Sequence, residues 1–426
     1  MIPSGRLDGL SLAFFRQNLF TDPLEDPSGA VRRCLDDFAQ KGLPPAGSVA
    51  LSVGSRNIAS LAPVVAAACA WLKKRGFSPF IVPAMGSHGG GTPEGQAAVL
   101  AGLGVEESAT GAPVRPGMET VVLGEACGVP VHFSAEASRA DYVAVVNRVK
   151  PHTKFRAKVE SGLCKMLTVG LGKKAGAEII HAAALSRGFG LIEEAAGLVL
   201  EKVSVLFGLA LVEDGPGNLS LVEALAPEGL IAREKELLVR AREMMAGIPL
   251  DRLDVLVVDY LGKDISGIGM DSNVTGRHRD LCGDFFSPPN PKRIFVRDLS
   301  PGSGGNANGI GLADFTTTRL VAAMDKEKTF VNSLAAISPE KAAIPLHLDT
   351  DVRCLAACLA TAGVTDPSAA RVVRIVSTAR LSTLQVSEAL EDEATAAGLV
   401  RETEWEPLAF GPDGNLPPWP GDPYAR

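Results

Sequence analysis

Histidine is scarce in this chain of 426 residues, with six in all at positions 88, 132, 152, 181, 278 and 347. Cysteines number seven, at 34, 69, 127, 164, 282, 354 and 358, an odd count without a CxxC pair. That excludes a zinc ribbon and argues against a disulfide frame. Long apolar runs are lacking too. The run 203–212, bounded by Glu201-Lys202 and Glu213-Asp214, falls far short of the roughly 20 residues a membrane span needs. Positive charge is not in excess: 42 basic against 49 acidic residues give a net charge of −7. Neither a nucleic-acid scaffold nor a polybasic membrane surface fits that balance, so neither partner is expected. The opening MIPSGRLDGLSLAFF lacks a basic start followed by an apolar segment, so no secretory signal is expected, and a cytoplasmic location is.

What is present is the composition of a globular enzyme, 46% apolar with 45 glycines and 29 prolines, long enough for about two or three domains. Apolar β-rich runs alternate with Ala-rich amphipathic stretches. Strands are predicted at 48–53, 80–84, 120–124, 142–149 and 202–212, with helices at 61–75 and 93–103. A charged helix at 232–245 ends at Gly247-Ile248-Pro249, after which 255–260 opens a second alternation. That alternation continues through 294–296, a helix near 312–323, a helix near 352–362, a strand at 372–377 and the stretch 383–399. The expected fold class is α/β. Two domains, 1–248 and 249–426, would each carry a largely parallel or mixed sheet flanked by helices, with the active site in the cleft between them.

Four glycine-rich segments are candidates for chemistry. Gly54-Ser55-Arg56-Asn57 follows a strand and precedes a helix, where free backbone N–H groups and a bidentate Arg56 suit a phosphate or carboxylate. A tight turn with a solvated arginine is the plain alternative. Met85-Gly86-Ser87-His88-Gly89-Gly90-Gly91-Thr92 sets one imidazole among four glycines at another strand end. The segment 147–166 is the densest. His152 follows a strand, and Arg148, Lys150, Lys154, Arg156, Lys158 and Lys165 build a local positive field in an acidic chain. Such a field favours an anionic ligand, unless the charges are merely solvated. The glycine run 170–176 has neither GxxxxGK[ST] nor GxGxxG spacing. An unbroken helix would hold Lys165 and His181 about 24 Å apart, so glycines 170, 172 and 176 predict a break between them. Two further glycine loops, 260–271 and 298–306, are of the kind that line clefts. His278 reads as a solvated loop residue, His132 and His347 as structural.

Pro151-His152, Ser161-Gly162-Leu163-Cys164-Lys165, and His181 sixteen residues after that lysine resemble the lactate racemase family of nickel-pincer-nucleotide enzymes. Gly86-Ser87-His88 is similar to that family's upstream histidine loop, and Gly54-Ser55-Arg56 to its phosphate-contacting turn. The resemblance implies a racemase or epimerase that inverts the hydroxyl-bearing carbon of a small anionic 2-hydroxy acid. Lys165 would carry the cofactor covalently, a pyridinium-3-thioamide-5-thiocarboxylic acid mononucleotide with nickel. His181 would ligate the nickel, and His88 and His152 would serve as acid–base partners. Gly54, Ser55 and Arg56 would bind cofactor, joined by Lys263 and Asp264. The implied protein partners are the cofactor-making carboxylase/hydrolase, sulfur transferase and nickel insertase, without which the cofactor would be absent. A homo-oligomer is also expected. The interval from His152 to Lys165 is 13, about three longer than expected of the lactate enzymes, which turns the reading toward another 2-hydroxy acid. A metal-independent hydro-lyase or isomerase using the same histidines, and a non-catalytic carrier of the nickel cofactor, remain open alternatives.

Overall fold

The computed structural model describes residues 7–55, 58–281, 283–422 and 424. These form two compact units, one spanning Phe20–Met245 and the other joining the residues up to Leu19 to those from Ala246 onward. No helix among them is long and apolar enough to cross a membrane.

The unit Phe20–Met245 is built on a five-stranded sheet of β1 (Ser48–Val53), β2 (Ser78–Pro83), β3 (Tyr142–Arg148), β4 (Val205–Glu213) and β5 (Leu219–Leu225), in the order β2-β1-β3-β4-β5. The first four strands are parallel and β5 is antiparallel. β1 and β4 are almost wholly buried, as continuous apolar runs covered on both faces must be. Helix α1 (Pro27–Ala39) starts where the Asp26 side chain accepts the Gly29 N–H at 2.8 Å. Helix α2 (Leu61–Lys74) buries Val64, Val65, Ala68 and Leu72 and ends on Lys73 and Lys74, whose charges suit a helix C-terminus. These two helices join Leu51, Val53, Phe207 and Leu209 in one core. Helix α3 (Pro93–Gly102) begins on Pro93 under a Thr92 cap. Helices α4 (Lys173–Arg187), α5 (Leu191–Lys202) and α6 (Leu230–Met244) complete the unit, with a hairpin of Thr120–Ala126 and Val129–Ser134.

The order of strands locates a ligand crevice. From β1 the chain crosses to β2 on one side, whereas β3 leads to β4 on the other. The switch point therefore lies between the carboxyl ends of β1 and β3, where open α/β sheets bind ligands.

The second unit holds β6 (Val255–Leu261), β7 (Arg293–Leu299) and β8 (Val372–Ile375), mutually parallel at the centre of a mixed sheet. The expected first domain began at residue 1, but Ser11–Arg16 is a strand of this second sheet. It pairs antiparallel with Thr383–Ser387, burying Phe15 in the second core. The helix expected near 312–323 is also corrected. Phe315–Thr317 is a strand parallel to β7, and only Thr318–Ala323 is helical, because three consecutive β-branched threonines favour pairing and Thr317 caps the helix. His278 is not solvated: it is fully buried, stacked on Phe285 at 5.1 Å and 3.1 Å from the Asp280 carboxylate.

Candidate active site

The carboxyl ends of β1, β2 and β3 each deliver one expected site residue. After β1, Ser55 Oγ forms a hydrogen bond with His88 Nδ1, which the loop after β2 presents. Ser55 thus orients the histidine of the neighbouring loop. Arg56, expected as the phosphate clamp, lies outside the described residues. A Cβ on Gly54 would lie 3.3 Å from Met166 Cε, so the turn sits close beside the segment that follows Lys165.

The loop bearing His88 is held by two buried residues that no motif flagged. Gln96 donates from Nε2 to Gly86 O at 2.8 Å and to His88 O at 3.3 Å. Its Oε1 accepts from Lys173 Nζ at 3.4 Å, and that ammonium also donates to Pro83 O at 2.6 Å. Lys173 is fully buried and left-handed, with φ of 56°. Burial pulls its ammonium down to about 8, partly opposed by Glu136 and Glu119. Nothing local in the sequence announces a lysine in that backbone state.

His152 stands on a loop closed by reciprocal main-chain hydrogen bonds between Lys150 and Ser161, at 2.9 and 3.2 Å. Inside it, the fully buried Glu160 accepts the His152 N–H at 2.5 Å and the Ala157 N–H at 3.1 Å, and pairs with Arg242 of α6 at 2.6 Å. The ring stacks on Phe155 at 4.3 Å, and Phe155 stacks on Phe189 at 3.8 Å. His152 Nδ1 accepts the Lys154 N–H at 3.0 Å, and Nε2 lies 2.6 Å from Lys165 Nζ. Phe155 and Glu160, between His152 and Lys165, therefore build the seat of the histidine itself.

Lys165 ends a helical turn, Leu163–Lys165, whose entry is fixed from two sides. Asn147 Nδ2 donates to Gly162 O at 2.9 Å, and the Glu234 carboxylate accepts the Cys164 N–H at 2.9 Å. A Cβ on Gly162 would lie 2.3 Å from Glu234 Oε1, so only glycine leaves room for the carboxylate. Burial pushes Glu234 up to about 7. Between its ordinary 4.5 and that value the native state binds more protons than the unfolded chain, so this stabilising contribution is complete below about 4.5 and is lost as pH rises through 7. Urea unfolding at about pH 5 and about pH 8 should show a decline in the wild type that Glu234→Gln flattens; equal slopes would contradict this account.

From Lys165 the chain passes through a π turn, Met166–Gly170, and breaks before α4. A Cβ on Gly170 would come within 2.8 Å of Ala84 O, and Gly170 O accepts the Gly86 N–H at 3.2 Å, so the turn presses against the loop bearing His88. The break expected between Lys165 and His181 is therefore present. His181, on α4, is pushed down to about 4, chiefly by burial and then by the positive charges of Lys165 and Lys154. Since burial is the larger cause, the imidazole is neutral near pH 7 whichever form Lys165 takes, as a metal donor must be. No group of three or more His, Cys, Asp or Glu among the described residues could hold a metal by itself.

The structure thus joins Ser55 to His88 and His152 to Lys165, with His181 in the electrostatic reach of Lys165. Lys263 and Asp264 belong to the other unit, on the loop after β6. There Lys263 Nζ donates to Gly267 O at 2.5 Å, and Asp264 accepts from Ser300 Oγ at 2.5 Å.

No protein-family model matches the sequence, and no curated protein matches it. Among solved structures, the chain is similar to a protein from Thermotoga maritima, at 15% identity over 76% of this chain and 84% of that one, with a TM-score of 0.51. It is also similar to the lactate racemase apoprotein from Thermoanaerobacterium thermosaccharolyticum, at 13% identity over 85% of this chain and 84% of that one, with a TM-score of 0.47. Identities this low speak to the fold alone.

Proposed function

We propose that this chain is a racemase or epimerase that inverts the hydroxyl-bearing carbon of a 2-hydroxy acid, using a nickel-pincer nucleotide held on Lys165. The observation that carries the reading is the meeting of His152 Nε2 and Lys165 Nζ at 2.6 Å, with a neutral His181 close by. These are the residues on which the sequence resemblance rests.

The donor set suits the group. Lys165 offers an amine for covalent attachment, and His181 offers an imidazole freed of its proton, a ligand that nickel accepts well. When bound, the nucleotide would supply a hydride acceptor. The remaining work belongs to the chain. Lys150, Lys154 and Arg156 attract the substrate carboxylate. Taking a proton from the carbon beside a carboxylate is difficult, because a second negative charge would accumulate there. Taking it from the hydroxyl avoids that charge, and a histidine on each side of the substrate serves one stereoisomer each. Ser55 engages His88 at Nδ1, so that ring works through Nε2.

The test is co-expression with the cofactor-making enzymes, followed by intact mass and a panel of single-stereoisomer 2-hydroxy acids. The expected result is an adduct on Lys165, lost in Lys165→Arg, with inversion of at least one acid. A protein without the adduct, or one that carries it and inverts nothing on the panel, would refute the proposal; the second outcome would favour a carrier.

A further inference from the structure

The two ring nitrogens of His152 are engaged by two lysines in different ways, and the difference fixes where protons sit. Nδ1 accepts the main-chain N–H of Lys154 at 3.0 Å, so Nδ1 carries a lone pair. An imidazole with a lone pair on Nδ1 keeps its proton on Nε2, since losing both would leave an imidazolate. That Nε2–H points at Lys165 Nζ across 2.6 Å. For the contact to be a hydrogen bond, Nζ must be the acceptor, which requires the neutral amine and not the ammonium. Lys165 is partly buried beside the Phe155 ring, whose centroid lies 5.9 Å from Nζ.

We infer that Lys165 is a nucleophilic amine that condenses with the carbonyl group of small 2-oxo acids, with the His152 Nε2–H offered to the carbonyl oxygen as a hydrogen-bond donor, in the chain free of any cofactor. The Nζ lone pair attacks the carbonyl carbon, and the His152 Nε2–H, released from Nζ, hydrogen-bonds the carbonyl oxygen without giving up its proton. One proton passes from the nitrogen to that oxygen, giving a neutral carbinolamine. Its hydroxyl then leaves as water with the nitrogen's second proton, as the nitrogen lone pair forms the C=N bond. Amine plus oxo acid gives imine plus water, and no electrons are exchanged. The acid is chosen over a neutral carbonyl compound because Lys150, Lys154 and Arg156 flank His152 in the chain, with Arg156 Nη1 3.3 Å from His152 O, and bring positive charge that a carboxylate beside the carbonyl would meet. This activity needs neither nickel nor nucleotide and stands apart from the racemase reading.

The experiment uses the full chain made in a host without the cofactor pathway, its intact mass checked as unmodified. Glyoxylate and cyanoborohydride are added, and each lysine is followed by peptide mass mapping, the borohydride serving as external hydride donor that traps the imine. Lys165 should gain a carboxymethyl group at least about tenfold faster than the exposed Lys41 and Lys74. His152→Phe, which keeps a ring stacked on Phe155, should remove that advantage, and acetaldehyde should label Lys165 with none. Labelling of Lys165 no faster than that of Lys41 and Lys74 would overturn the inference without recourse to any variant. An unchanged rate in a folded His152→Phe protein would overturn the part given to His152, and equal labelling by acetaldehyde would overturn the choice of ligand.

Discussion

His88→Ala should lower the rate of inversion by the cofactor-loaded protein about 10²–10⁴-fold, the usual contribution of a positioned acid–base group. The adduct on Lys165 should persist, since the contacts that seat Lys165 involve Asn147, Glu234 and His152. Inversion needs a base on each side of the carbon, so one lost histidine stops turnover in both directions. Ser55→Ala tests the neighbouring link. It leaves the imidazole in place but removes the partner of Nδ1, a hydrogen bond worth about 1 kcal/mol, so a loss of roughly fivefold is expected. Both variants are read by initial rates on the preferred acid, alongside intact mass. Undiminished inversion in His88→Ala would remove that residue from the chemistry. Loss of the adduct in the same variant would move its role to cofactor attachment.

Asp259→Ala should destabilise the second unit by about 3–5 kcal/mol, because it strands the buried Arg374 guanidinium and takes one of two carboxylates from Arg297. Asp259 is 1% exposed and receives Arg374 at 2.8 and 2.7 Å and Arg297 at 2.8 Å. Arg297 also pairs with Asp351 at 2.7 Å, and Asp351 with Arg319 at 2.7 Å. Two of these arginines reach the C-terminal segment as well, where Arg297 donates to Leu416 O at 2.9 Å and Arg374 to Pro417 O at 2.8 Å. Removing the central carboxylate leaves the Arg374 contact attached to a charge without a counter-ion and Arg297 with Asp351 alone. Asp298→Ala is the control, since its pairing with Arg319 at 3.3 Å is half-exposed, long, and worth about 1 kcal/mol or less. Urea unfolding followed by the fluorescence of Trp405 and Trp419 gives both values. A difference of less than about 1 kcal/mol between the two variants would refute the account.

The parts of the fold that were legible in the sequence were those whose cause is local. β1 and β3 are short apolar runs followed by glycine or proline, and α3 is bracketed by Thr92-Pro93 and Gly104. Ser11–Arg16 is just as apolar, but its partners lie near the other end of the chain, and no local pattern assigns it to their sheet. Helix α1 escaped notice although Asp26-Pro27 is a capping signal, because apolar Val31 and Leu35 are diluted by charged neighbours. His152, Lys165 and His181 were legible as a spaced motif. Gln96 and Lys173 were not, since each matters only through a hydrogen bond across the fold. His278 was misread for the same reason: its burial comes from Phe285, Asp280 and the surrounding tertiary structure, not from its arginine neighbours.

An α turn in place of the π turn Met166–Gly170 would use one residue fewer, so a deletion there shortens the path from Lys165 to Gly170, whose carbonyl holds the Gly86 N–H at 3.2 Å. The loop bearing His88 would lose that anchor or pull Lys165 toward it, though no residue of either seat had changed. Between Lys165 and Gly170 chain length is part of the chemistry. In the turn at Cys127-Gly128, between the two strands of the hairpin, an added residue would leave that path untouched.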